Sequence, residues 1–281
     1  MIRRAYAQSM PLLWLGVLGL ALAGFVAVAS LFTGIFIPPE GDLTKPITFD
    51  AALGIYFLTI GLFVPLAGFS PRGLRRWLAW SVGLAIYAFT IETVQPLRGL
   101  DPRFSHYASI PGQIAGGVFG IVALGVLTLY VILASKLIAR GTSGPQGLLL
   151  LSIRYASASA GLAFAAGICM MVVLGRKIGV AGNILPLHAA GFHALQAIPI
   201  VAILLERSKI PLTSARRSIH IAGLAWFGMC LAIAWQTVAG RPVVEVSIPM
   251  ILAGIQMGVW AACALAALYL WRSSAAVEQP A

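Results

Sequence analysis

Residues 113–138 read QIAGGVFGIVALGVLTLYVILASKLI, an apolar run whose single charge, Lys136, stands near its end. A helix needs about 20 such residues to cross roughly 30 Å of hydrocarbon. The run has the length and continuity of a transmembrane helix. A membrane β-barrel would instead show segments of about ten residues with alternating polarity. Similar runs recur on either side, at about 12–37, 50–69, 74–95, 148–175, 186–206, 213–238 and 246–271. The expected fold class is all-α: a polytopic membrane helix bundle of about eight transmembrane helices, in a single integral membrane domain over residues 1–281.

Composition agrees with that reading. Of the 281 residues 60% are hydrophobic and 10% charged, against roughly a quarter charged in a soluble domain. The net charge of +11 comes from short basic clusters between apolar runs, which act as topology signals rather than a nucleic-acid surface. Arg3, Arg4, Arg72, Arg75, Arg76, Lys136, Arg140, Arg154, Arg207, Lys209, Arg216, Arg217 and Arg272 fall on one side, and only Lys45, Arg98, Arg103, Arg176, Lys177 and Arg241 on the other. The excess predicts an N-in, C-in protein of the cell membrane, the inner membrane in a bacterium. Arg154, inside span five, is expected to snorkel to the cytoplasmic interface, and Trp77, Trp80 and Trp271 to anchor at boundaries. The first run follows two arginines and is too long for a signal peptide, so it reads as an uncleaved helix. Cys169, Cys230 and Cys263 fall inside apolar runs and read as packing residues.

Small residues at Gly116 and Gly120, and at Ser157, Gly161 and Ala165, suggest close helix contacts. No residue-level repeat between two four-helix halves is evident in the letters.

Intramembrane polar groups are the informative ones, because a charge at a helix centre costs about 2.5–3.5 kcal/mol on insertion scales. At 100° per residue Ala85, Ala88, Glu92 and Gln95 share one face of span three, and that face is expected to point inward. Pro96 and Gly99 break the helix, with Arg98 at the break as a potential ion-pair partner for Glu92. The loop that follows holds Asp101, Arg103, Ser105, His106 and Tyr107 between Pro102 and Pro111. Span six carries His188, His193 and Gln196. The two histidines lie about 140° apart around the helix, too far for chelation of one ion in the i, i+4 manner. With the inferred topology, Glu92, Gln95, Arg98, His106, His188, His193 and Gln196 all fall toward the extracytoplasmic side and form the candidate pocket. His220 falls on the other side and reads as structural.

The strings Glu92-x-x-Gln95-x-x-Arg98-Gly99, Ser105-His106-Tyr107 and His188-x-x-Gly191-x-His193-Ala194-x-Gln196-x-x-Pro199 resemble those of an uncharacterised group of bacterial multi-pass membrane proteins. The resemblance spans about residues 85–205. An asparagine commonly follows the Ser-His-aromatic triplet in that group, where this chain has Ala108. It implies that these positions belong together and supplies no activity.

The residue types then suggest several functions. Imidazole is the commonest ligand of zinc, copper and haem iron, so the first expectation is a metal ion or haem cofactor held by His188, His193 and His106, with a membrane redox partner. The alternatives are a proton-coupled transporter or channel using Glu92 and the histidines, an intramembrane lipid-modifying enzyme built on Ser105 and His106, and a structural membrane subunit. The bilayer is the expected partner in every case, and nucleic acid in none.

Overall fold

The structure is a computed structural model that describes residues 2–144 and 146–276. Side chains are described for 7–144 and 146–274, which leaves Arg3 and Arg4 outside. Eight long helices dominate: α1 (Ile2–Thr33), α2 (Thr44–Phe63), α3 (Pro71–Leu97), α4 (Ile110–Ala139), α5 (Gly147–Val172), α6 (Leu185–Glu206), α7 (Leu212–Val238) and α8 (Ile248–Ala276). Each is long and apolar enough to cross a membrane. Two short hairpins complete the described residues: β1 (Phe36–Ile37) with β2 (Gly41–Asp42), and β3 (Lys177–Ile178) with β4 (Gly182–Asn183). The first hairpin shifts an expected boundary, because α1 stops at Thr33 and α2 starts at Thr44 rather than at residue 50. Asp42 is the reason: its Oδ1 accepts from the Thr44 backbone N–H at 3.0 Å and fixes the helix start. Asp50 is thereby carried into the helix.

The chain divides into two compact units, Met1–Lys136 and Leu137–Ala281. The two follow the same plan. Each has a helix, a two-residue hairpin and then further helices, and residues of one correspond to those of the other at a constant offset of 141: Gly41 to Gly182, Pro71 to Leu212, Gly99 to Gly240. Hydrogen bonds repeat at the same offset. Leu43 N–H donates to Ile35 O and Ile184 N–H to Arg176 O, both at 2.9 Å; Glu40 N–H donates to Gly99 O and Ala181 N–H to Gly240 O, also at 2.9 Å. From residue 41 to 52 and from 182 to 193, burial follows the same order position by position. Few identities survive, among them Gly41/Gly182, Arg75/Arg216, Arg76/Arg217, Gln95/Gln236 and Gly99/Gly240, so the repeat is carried by backbone geometry.

Glycine explains two of those identities. Gly99 and Gly240 adopt φ of +77° and +70° and close their helices, with Leu100 N–H reaching Gln95 O at 3.0 Å and Arg241 N–H reaching Gln236 O at 3.2 Å. Gly41 and Gly182 lie where a Cβ would stand 2.4 Å from Pro96 O or 2.5 Å from Thr237 O. Each hairpin therefore docks on the end of the third helix of its own unit.

Several packing expectations change. Ser157, Gly161 and Ala165 lie outside the α5 contact face, which is formed by the buried Ala156, Ser159, Ala160 and Ala163; the Ser159 carbonyl comes close enough to Gly191 to exclude a side chain there. Trp77 is 4% exposed and donates Nε1–H to Leu129 O at 2.9 Å, which makes it a core residue, whereas Trp80 is 66% exposed as an anchor would be. Arg154 donates to Ile138 O and Arg140 O at 2.9 and 2.8 Å, capping the last turn of α4. All three cysteines are free thiols. His220 pairs its Nδ1 with the Tyr155 hydroxyl at 2.7 Å.

Candidate functional site

The inward stripe of α3 is as expected: Ala85, Ala88, Glu92 and Gln95 are all buried. The small residues at 85 and 88 leave room beside the two polar ones. Glu92 is 0% exposed, and its partner is Arg103 rather than Arg98. Arg103 donates Nε–H to Glu92 Oε1 at 2.5 Å. Its guanidinium also stands 5.3 Å from the centre of the Phe49 ring and 4.9 Å from that of Phe119, on α2 and α4. Two aromatic faces favour the cation, whose side chain stays 34% exposed while Glu92 is fully buried. Arg98 is exposed and caps the helix end through its backbone. Gly116 makes room for the loop, because a Cβ there would lie 2.8 Å from Arg103 O.

Asp50 is the main residue that the sequence reading missed. The sequence reading begins this span at residue 50 and draws nothing from Asp50; with α2 starting at Thr44 it lies about one and a half turns inside and is 0% exposed. Thr93, next to Glu92 on α3, donates its hydroxyl to Asp50 Oδ2 at 2.8 Å. The Asp50 carboxylate lies within electrostatic range of Glu92. Three buried oxygens here accept no hydrogen bond: Asp50 Oδ1, Glu92 Oε2 and Gln95 Oε1. Buried polar atoms are nearly always paired, and an unpaired acceptor beside a second carboxylate is costly. The site holds two buried carboxylates and one partly exposed cation, an excess of one negative charge when both acids are ionised.

The loop above this site is tied at two further acids. Lys45 forms an ion pair with Asp101, and Asp101 Oδ1 accepts from the backbone N–H groups of Arg103 at 2.9 Å and Phe104 at 2.8 Å. Partial burial works to raise the Asp101 carboxyl, but Lys45 and the two N–H donors outweigh it and hold the group below its usual range. Glu40, from the hairpin, accepts from the Ser105 hydroxyl at 2.5 Å and from His106 N–H at 3.0 Å. Its slight desolvation is likewise outweighed by these donors, and it too sits below its usual range. Ser105 therefore serves as a turn-forming hub, also accepting from Ala108 N–H at 3.0 Å, and makes no dyad with His106. The His106 side chain is exposed.

The histidine helix follows a different plan from the one expected. His188 is half-buried in the second unit; its Nδ1–H donates to Ala163 O at 2.7 Å, and its ring meets Phe192 edge-on with centroids 4.9 Å apart. His193 is exposed, as the 140° separation requires, and Gln196 is half-buried. His188 and His193 differ in burial, and His106 belongs to the first unit. Among the described residues no group of three or more His, Cys, Asp or Glu side chains is arranged to hold a metal ion. The expected ligand set of His188, His193 and His106 is not supported.

Known proteins add nothing to this geometry. Comparisons with protein-family models, with curated proteins and with solved structures find no match for this chain.

Proposed function

We propose that this chain is a multi-pass cell-membrane protein, N-in and C-in, whose first unit binds and releases a proton at Asp50 and Glu92 as part of proton-coupled transport. The observation that carries this reading is the pair of fully buried carboxylates, each with one unpartnered oxygen, of which only Glu92 has a cation, Arg103, as its partner. Burying that surplus charge in hydrocarbon is costly, and a proton neutralises it. Intramembrane acids of this kind are the usual proton carriers of pumps and transporters.

The second unit strengthens the argument. At the matching positions it carries Gly191 for Asp50, Ile233 for Glu92 and Ala234 for Thr93, yet it builds the same hairpin, helix ends and burial order. The scaffold stands without these charges, so a purely structural role explains them poorly. Among the described residues no group of three or more His, Cys, Asp or Glu favours metal binding, and the Ser105–Glu40 bond does not favour the lipid-modifying reading.

The test is infrared titration of the purified protein in lipid, together with proton uptake in vesicles driven by a pH gradient. A protonated-carboxyl band that titrates in the wild type and diminishes in Asp50→Asn and in Glu92→Gln, with proton uptake falling at least tenfold, supports the reading. Unchanged bands and unchanged uptake in variants that fold normally would leave a structural subunit as the better description.

A further inference from the structure

The two units also differ where their first helix meets their third. Between α1 and α3 the first unit leaves an open apolar groove of about 360 Å3, lined by Pro11, Trp14, Leu15, Leu18, Val82 and Ile86. Trp14 is 66% exposed there. The offset of 141 holds along α1 and α5, where Leu12, Leu15 and Gly19 are buried as Ile153, Ala156 and Ala160 are. At that offset the face of the second unit is closed. Tyr155, the counterpart of Trp14, lays its ring on Gly223, the counterpart of Val82, where a Cβ would stand 2.3 Å from the ring. The Tyr155 hydroxyl is pinned by His220 Nδ1 at 2.7 Å. The first unit has neither device, with Val82 and Ala79 at the places of Gly223 and His220. Pro11 is exposed and Leu18 half-buried, whereas their counterparts Ser152 and Ser159 are fully covered.

Helical period leads from the groove to a cation. Arg75, Val82 and Ile86 lie within about 40° of one another around α3, and Arg75 precedes Ile86 by about 16 Å of helix. That length is one leaflet, half of the roughly 30 Å hydrocarbon core. Arg75 is exposed, close to the start of α3 at Pro71, and among the described residues it makes no hydrogen bond or ion pair. Its counterpart in the second unit, Arg216, is spent on Thr142, donating to the carbonyl at 3.0 Å and to the hydroxyl at 3.2 Å. The acids of the first unit are Glu40, Asp42, Asp50, Glu92 and Asp101, all gathered toward the opposite end of α3. Arg75 therefore has a free charge at the mouth of an apolar groove, and no carboxylate of its own unit to meet it.

We propose that this groove binds one acyl chain of an anionic phospholipid, with the lipid phosphate at Arg75. Any lipid tail can wet an apolar groove, so the headgroup charge supplies the selectivity: one basic residue near the membrane surface favours an anionic lipid about fivefold. The site lies at the other end of α3 from Asp50 and Glu92 and is independent of the proton reading.

Native mass spectrometry of the whole protein tests this, after equilibration in detergent with phosphatidylglycerol or phosphatidylcholine carrying the same palmitoyl and oleoyl chains, or with glycerol 3-phosphate as the headgroup alone. The wild type is expected to retain one phosphatidylglycerol about fivefold better than phosphatidylcholine. Arg75→Ala should erase that preference, while Arg76→Ala, about 100° further round the helix, should keep it. Val82→Trp fills the groove and should lower the retention of phosphatidylglycerol to that of phosphatidylcholine. If Val82→Trp does not fold, the wild-type lipid series and the two arginine variants still decide. Equal retention of the two lipids by the wild type, or equal losses in Arg75→Ala and Arg76→Ala, would overturn the site. So would a preference that survives Val82→Trp in folded protein, or displacement of the lipid by glycerol 3-phosphate at equal concentration, which would mark a phosphate site without a tail.

Discussion

Residue 50 is an aspartate in the first unit, and residue 191, its counterpart, is a glycine in the second. In the second unit the missing side chain lets α6 approach the α5 backbone, where a Cβ at Gly191 would lie 2.6 Å from Ser159 O. In the first, α1 makes the corresponding concession: a Cβ at Gly19 would lie 2.6 Å from Asp50 O and 2.8 Å from the Phe89 ring. The same crossing is thus built from opposite partners. One unit gains an interior acid from the exchange, and the other gains only contact. The loops differ as well: the one between α3 and α4 is three residues longer than that between α7 and α8, and it carries Arg103. The difference teaches that helix ends and hairpin docking are one layer of the design and the charges another.

The sharpest way to break this comparison is Arg103→Ala. Removing the partner of a buried charge costs about 3–5 kcal/mol, read as a fall in the unfolding midpoint in detergent. Val244→Ala, in the exposed loop of the second unit, should stay within about 0.5 kcal/mol. Equal effects would mean that the two loops do not differ in energetic weight. Gly116→Ala should cost about 1–3 kcal/mol, because its Cβ would press on Arg103 O. Gly117→Ala, which meets open space, should be neutral or gain up to about 1 kcal/mol from helix propensity.

The glutamine pair sharpens the contrast further. Gln236→Leu strands the Ser247 hydroxyl and the Pro242 carbonyl and should cost about 1–3 kcal/mol. Gln95→Leu removes an unsatisfied oxygen and should cost less. A larger loss at Gln95 would show that its amide is a structural bond after all.

The smallest effect is expected from acid. Glu40 and Asp101 both titrate below their ordinary range in the folded protein, so each contributes stability that is present above its unfolded value, about 4, and lost as pH falls through the lower folded value. The loop should therefore loosen below about pH 4, seen as faster amide exchange at Phe104, His106 and Ala108, while the second unit, with Ala181 in place of Glu40, keeps its exchange rates.

These contrasts also explain what could be read from the letters. Eight long apolar runs specify eight helices because hydrocarbon leaves the backbone no other way to satisfy itself, and the Ala85–Gln95 stripe was visible because helical period alone orders it. The Glu92 partner was not, since Arg103 reaches it only through a loop whose path depends on Gly116 and on Glu40 and Lys45, far away in sequence. Asp50 was hidden by a boundary error of six residues that a short hairpin causes. The repeat was hidden because it lives in hydrogen bonds and burial, with only scattered identities such as Gly41/Gly182 and Gln95/Gln236 to mark it. The histidines show the reverse: a motif conspicuous in spelling places His188 half-buried and His193 exposed, in different surroundings.

The constant spacing of 141 also gives the molecule a built-in ruler. Since the hairpins, the third helices and their closing glycines coincide number for number, a saturation mutagenesis profile of residues 35–52 and 71–100 can be overlaid on that of 176–193 and 212–241 without any alignment. Positions whose tolerance profiles coincide are under the demands of folding, and those whose profiles diverge are under some other demand, which the chain then identifies by comparison with itself.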